Sequence, residues 1–183
     1  MKKAFLILCL MSSLNFVYAQ ENTQKIAFNI GSGLLLEQGN GVFCIENELS
    51  YKFNNYISGS VSAILGRELG SEATNYLLTG TNCFVSPFKN NKRNNFKIGL
   101  GLGFGFLDRS VTASIYVADG NNPYYQYSCT TSIERKSALI ATFILEDEYW
   151  IHSRLSIGGK LFFTGFVGEG FMGGMMVKLG VSL

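Results

Sequence analysis

The sequence predicts an all-β chain, an eight-stranded antiparallel up-and-down transmembrane β-barrel, and three observations carry that reading. The first is the run FKIGLGLGFGF at 96–106. Phe96, Ile98, Leu100, Leu102, Phe104 and Phe106 share one parity, and Lys97, Gly99, Gly101, Gly103 and Gly105 the other. Side chains alternate faces along a strand, so this segment has one unbroken apolar face and one nearly bare face. The second is length, since a tilted strand of about 9–11 residues crosses the hydrocarbon core of a bilayer. The third is composition. Charged residues make up 15% of the chain and Gly 21 of 183 residues, whereas about 25% charged is usual in a soluble domain. Gly is a poor strand former, so a row of glycines on one face calls for a cramped lumen or close backbone approach.

The N-terminus reads as an export signal. Lys2 and Lys3 precede the apolar run AFLILCLM at 4–11, and Val17-Tyr18-Ala19 ends in a small residue before Gln20. This pattern predicts a signal peptide over 1–19, cleaved after Ala19, and a barrel domain over 20–183. The apolar run is too short for a membrane helix, which needs roughly 18 residues. Cys9 lies inside that run behind Leu8, not behind the small residue a lipidation site wants. Removing Lys2 and Lys3 takes Lys+Arg from 15 to 13 against 13 Asp+Glu, a formal charge of about zero. A neutral chain lacks the basic footprint of a nucleic-acid binder. Cys44, Cys83 and Cys129 remain after processing, with no CxxC or Cys/His ligand spacing, so neither a metal nor another cofactor is expected.

The strands follow in order. The first spans 25–36, with Ile26, Phe28, Ile30 and Leu34 opposed by Ala27, Asn29, Gly31 and Gly33. The second, 42–53, sets Phe43, Ile45, Leu49, Tyr51 and Phe53 against Cys44, Glu46, Glu48, Ser50 and Lys52. Asn54-Asn55 predicts a two-residue hairpin turn, because Asn tolerates positive φ. The third, 56–65, opposes Ile57, Val61, Ala63 and Leu65 to Ser58, Ser60 and Ser62. The fourth, about 75–88, has no assigned facing, since Leu77 and Leu78 are adjacent and Thr81-Asn82 interrupts. After the fifth strand, 108–136 is the longest irregular stretch. It holds turn residues between SIYVA and YYQYS, which predicts a hairpin that continues strands five and six as a protruding ribbon. The sixth strand is 137–148. The seventh, 151–164, opposes Leu155, Ile157, Leu161 and Phe163 to Arg154, Ser156, Gly158 and Lys160. A turn at 165–170 leads to the eighth, 171–183, with Met175, Val177, Leu179, Val181 and Leu183 on its apolar face.

An even strand number brings both termini to one side. With a periplasmic N-terminus, the inner turns fall at 54–55, 89–95 and near Tyr149-Trp150, and the longest connection, 108–136, falls outside. That agrees with the short inner turns and long outer loops of bacterial barrels. Tyr51, Phe53, Tyr56, Tyr149 and Trp150 cluster at one expected interface, and Phe104, Phe106, Phe163, Phe166 and Phe171 at the other.

On this alternation, strand number and terminal strand, the chain resembles the eight-stranded outer-membrane barrels of the OmpA/OmpX-like type, in a barrel-only form. The resemblance covers nearly all of 20–183 and rests on pattern, not on a diagnostic motif. It implies residence in the cell outer membrane of a Gram-negative-type cell, in contact with outer-membrane lipid, after assembly by the barrel-insertion machinery. Such proteins typically end on an aromatic residue, whereas this sequence ends on Leu183.

Charged residues on the lumenal parity are Glu46, Glu48, Lys52, Lys97, Glu146, Glu148, Arg154, Lys160 and Lys178. An eight-stranded barrel is just wide enough for its side chains to fill it, and buried charges persist only when paired. A structural salt-bridge network is therefore expected rather than an ion path. No catalytic residue is expected. Enzymes among small outer-membrane barrels resemble the lipid A acyltransferases and deacylases, which use His with Ser and a carboxylate. Here the one histidine, His152, falls at an inner turn beside Ser153, far from Asp108 and Ser110. The glycines at 99–105 do not make a dinucleotide fingerprint, because Phe104 stands where Gly is required. Whether Cys44 and Cys83 join across the lumen depends on both pointing inward.

The expected interaction surface is the aromatic hairpin, through Ile115, Tyr116, Tyr124, Tyr125 and Tyr127, since exposed aromatic residues commonly anchor partners. The function expected is structural or surface-interacting and non-enzymatic, through 108–136, toward an extracellular protein or surface ligand. The alternative is a soluble periplasmic lipocalin-like barrel with its apolar face turned inward onto a ligand.

Overall fold

Strand alternation of this kind leaves a ribbon with one greasy side, and eight such ribbons can hide their backbone edges only by closing on each other. The computed structural model describes residues 26–37, 40–68, 74–88, 93–117, 126–152, 154–168 and 170–183, with side chains described outside 111–131. The expected signal peptide at 1–19 lies outside them.

The strands are β1 (Ile26–Glu37), β2 (Asn40–Lys52), β3 (Ile57–Glu68), β4 (Thr74–Val85), β5 (Asn94–Val117), β6 (Gln126–His152), β7 (Leu155–Phe166) and β8 (Gly170–Ser182). Each pairs antiparallel with its sequence neighbours, and β1 pairs with β8 to close the barrel. The closing register sets Phe28 opposite Val181 and Leu34 opposite Met175. Every strand therefore has two partners, and no ladder edge is left along the wall.

The apolar parity faces outward. Leu100 is 68% exposed, Leu102 71% and Val61 59%. The opposite parity holds Glu46, Glu48, Lys97, Glu146, Lys160 and Lys178, all buried. A soluble ligand-binding barrel would have these two faces exchanged, and an exterior this apolar suits hydrocarbon rather than water.

Several local expectations change. The β2–β3 connection is not a two-residue turn, because residues 53–56 lie between the strands. Phe53 N and Asn54 N donate to Ile57 O at 3.0 and 3.2 Å, and Asn54 Oδ1 accepts from Tyr56 N and Ile57 N at 2.8 Å. The Asn54 side chain thus stands in for a backbone acceptor and widens the turn. β6 runs through Tyr149 and Trp150 to His152, with a register irregularity between Trp150 and His152. Gly168 (φ 92°), between β7 and β8, and Gly170 (φ 121°), the first residue of β8, occupy backbone conformations that favour glycine.

β5 and β6 outrun their other neighbours. β4 pairs with β5 only as far as Arg109, and β7 pairs with β6 only from Ile140, yet β5 and β6 pair on to Val117 and Gln126. The barrel therefore carries a two-stranded arm, continuing the wall on one side at the end opposite the termini.

Candidate functional site

The interior is layered along the barrel axis. At the termini end Asn29, Ser60, Asn82, Ser156 and Ser182 are buried. Asn82 Nδ2 donates to Ser60 Oγ at 3.0 Å and to Ser62 Oγ at 3.1 Å, closing β3 onto β4 inside the lumen.

Above this layer runs a continuous chain of alternating charges. Lys160 Nζ contacts Glu46 Oε1 at 2.5 Å and Glu48 Oε2 at 3.2 Å. Lys178 Nζ contacts Glu48 Oε1 at 2.9 Å and Glu146 Oε2 at 2.7 Å. Lys97 Nζ contacts Glu146 Oε1 at 3.1 Å and Glu148 Oε2 at 2.9 Å. Neutral donors complete the set: Ser156 Oγ donates to Glu148 Oε1 at 2.9 Å, and Asn29 Nδ2 joins Lys178 on Glu48 Oε1 at 3.1 Å. Lys160 of β7 thus joins the two carboxylates of β2, Lys97 of β5 joins the two of β6, and Lys178 of β8 ties the pairs together across the lumen. Charges so far from water are tolerable because each ammonium meets two carboxylate oxygens and all but one of the carboxylate oxygens find a partner. The exception is Glu46 Oε2, which is buried without a hydrogen bond.

Two of the expected lumenal charges stand apart. Arg154 is exposed at the turn before β7, so its place is outside the lumen. Parity counted back from Ser156 fails there because the strand begins only at Leu155. Lys52 is half-buried at the end of β2.

The half of the lumen toward the arm is an apolar plug built from Leu35, Val42, Ile64, Leu78, Ile140, Ile144, Phe162, Phe166, Met172 and Met176. The glycines of β5 are where this filling is accommodated. A Cβ at Gly99 would lie 2.6 Å from the Phe84 ring, at Gly101 2.1 Å from Asn82 Oδ1, and at Gly105 2.6 Å from the Phe166 ring. At Gly103 it would fall 1.9 Å from the Thr79 carbonyl oxygen. The bare face of β5 is therefore not lining for an open passage but space taken by side chains and backbone of other strands. A cavity of about 20 Å³ remains beside Lys160, Asn82 and Thr164, room for about one water.

β4 acquires its facing from its pairing with β5: Thr74, Tyr76, Leu78, Asn82 and Phe84 are buried, while Thr81, Cys83 and Val85 are exposed. Cys44 points inward and Cys83 outward, both are free, and the wall between them excludes a bridge. His152 is exposed at the end of β6, at the opposite end of the barrel from Asp108, which pairs with Arg135 at 3.6 Å. In the arm, Tyr116 pairs with Tyr127 and Ile115 with Ser128 in backbone register. The side chains of Ile115, Tyr116 and Tyr127, and all of Tyr124 and Tyr125, lie outside the described residues.

No protein-family model matches this sequence, and no curated protein matches it. Solved structures do. The chain is similar to Neisserial surface protein A at 8% identity, over 86% of this chain and 96% of that one, with a TM-score of 0.62. It is similar to Ail, the attachment invasion locus protein of Yersinia pestis, solved with the heparin analogue sucrose octasulfate. There the identity is 14% over 86% of this chain and 95% of that one, with a TM-score of 0.54. Likeness at such identities is likeness of fold, and the fold is that of the small eight-stranded outer-membrane barrels.

Proposed function

We propose that this chain is an outer-membrane protein that holds the β5–β6 arm at the cell surface for contact with a partner, without enzymatic activity. The observation that carries this reading is the division of the molecule into a filled barrel and an arm built from its two longest strands. A lumen occupied by a charge chain and an apolar plug is a support, and the arm is the part that projects beyond it. The apolar exterior supports membrane residence, and the short-turn rule for bacterial barrels supports an arm pointing away from the periplasm. Export with removal of residues 1–19 belongs to the same reading. So do assembly by the insertion machinery and contact with outer-membrane lipid.

The test compares Gram-negative cells displaying the full chain with cells displaying a version lacking residues 114–127. Both are applied to heparin-coated and serum-protein-coated surfaces. Heparin enters as a probe because Ail was solved with a heparin analogue. Arm-dependent retention on either surface is the expected result. Retention equal to that of cells without the protein would end the surface-interaction reading.

A further inference from the structure

Where the arm leaves the wall, the barrel mouth holds a second cavity, of about 360 Å³, above the apolar plug. That is within the range of small-molecule sites, roughly 300–1,000 Å³. Its lining includes Glu37, Thr74, Tyr76, Arg109, Glu134 and Lys136, drawn from β1, β4, β5 and β6. Thr74 is only 2% exposed, and its Oγ1 makes no well-formed hydrogen bond, the nearby Tyr76 hydroxyl being engaged with Glu37. A buried hydroxyl left unsatisfied is costly unless something occupies the space beside it.

Thr74 is the direct register partner of Arg109, so the two side chains leave the sheet on the same face as immediate neighbours. The other polar groups of the lining are engaged. Tyr76 Oη donates to Glu37, and Lys136 lies 3.7 Å from Glu134. Arg109 has no ion-pair partner among the described residues. The mouth thus presents one guanidinium fork flanked by its two register partners, the Thr74 hydroxyl on β4 and the Glu134 carboxylate on β6, with the Glu37 carboxylate across the mouth on β1.

We propose that this mouth binds a small hydroxylated anion of the sugar-phosphate class. The Arg109 fork matches two oxygens of a phosphate, and Thr74 Oγ1 donates to a third. Glu37 and Glu134 would repel a bare anion but accept hydrogen bonds from sugar hydroxyls. Charge and hydroxyls on one ligand therefore satisfy both the guanidinium and the carboxylates of the lining. The phosphate could be carried by a free solute or by a phosphorylated sugar headgroup of the surrounding glycolipid.

The experiment is calorimetric titration of the purified chain, in detergent free of lipopolysaccharide, with glucose 6-phosphate, glucose and inorganic phosphate. Saturable binding of glucose 6-phosphate, tighter than either component, is expected. Arg109→Ala should weaken it about tenfold or more, and Thr74→Val severalfold, as loss of hydrogen bonds to a charged group implies. Arg154→Ala, at the far end of the barrel, should leave it unchanged. Purified lipopolysaccharide displaced by glucose 6-phosphate would place the headgroup in the same site. Glucose 6-phosphate no tighter than inorganic phosphate, or indifferent to both Arg109→Ala and Thr74→Val, would overturn the proposal. So would lipopolysaccharide binding that glucose 6-phosphate cannot displace, in a chain that does not bind the free sugar phosphate. Removing 114–127 leaves Arg109 and Thr74 in place, so binding here stands or falls separately from adhesion through the arm.

Discussion

Glu46 and Lys178 sit in the same buried chain of charges, yet their replacement should have opposite weight. Lys178 holds Glu48 and Glu146 together at 2.9 and 2.7 Å. Lys178→Met would leave both carboxylates short of a cation in a water-poor lumen, a loss of about 3–5 kcal/mol for a broken buried pair. Glu46 ends the chain with one oxygen already unpartnered and makes the carboxylates one more than the ammoniums they contact. Glu46→Gln keeps an acceptor for Lys160 and should cost less than about 1 kcal/mol, the scale of one neutral hydrogen bond. Urea midpoints of the two variants, refolded into the same detergent, decide the matter. A Glu46→Gln loss as large as that of Lys178→Met would mean that the excess carboxylate is essential to the fold. Glycines offer a second contrast. Gly103→Ala drives a methyl to within 1.9 Å of the Thr79 carbonyl oxygen, while a Cβ at Gly159 meets nothing within 4 Å. Gly103→Ala should lose about 1–3 kcal/mol through forced strand separation, and Gly159→Ala should be near neutral. Equal midpoints for the two would refute the close approach of β4 to β5.

The arm and the wall are made of the same two strands but differ in what supports them. Between 98 and 107 β5 has partners on both sides, whereas beyond Arg109 it is paired with β6 alone. An isolated two-stranded ribbon is marginal in water. Amide hydrogen exchange should therefore be fast over 110–117 and 126–137 and slow over 98–107 and 140–148, in both detergent and bilayers. Uniform protection along β5 would mean that something not present in the barrel itself covers the arm. β4 makes a related point about what a strand reveals locally. In the charged half of the lumen, polar-inside against apolar-outside makes alternation plain, as in β2. In the plugged half the inward side chains are apolar too, so the two faces no longer contrast. Leu77 and Leu78 are adjacent for this reason: Leu78 is in the plug and Leu77 half-buried on the other side.

At the scale of the molecule, closure and filling together predict behaviour. A closed ladder with two partners for every strand resists detergent until heated. Unboiled and boiled samples should therefore run as separate bands on a denaturing gel, with the protein in the outer-membrane fraction. A single unshifted band from a soluble fraction would overturn membrane residence and turn attention to apolar ligands. The plug makes a second prediction. Phe162, Leu35, Ile144 and Met172 are essentially inaccessible, and side chains fill a barrel of this strand number. Purified protein in planar bilayers should therefore give no steady ionic conductance. Sustained channels would mean that the plug yields under voltage.

The sequence by itself determined the strand number, the outward apolar face and the inward placement of most lumenal charges, because a period of two is written residue by residue along each strand. It also made the 108–136 hairpin legible from turn residues between aromatic runs. Only the tertiary structure decided where the faces lose contrast or where distant strands meet. It set the facing of β4, turned Cys83 away from Cys44, placed Arg154 on the surface, and filled the glycine face of β5 with Phe84, Asn82 and Phe166. It also brought Thr74 beside Arg109 at the mouth, a pair 35 positions apart that no local pattern announces. The physical reason is common to all of these. Alternation is a property of one strand, whereas what fills a lumen depends on the register at which eight strands close.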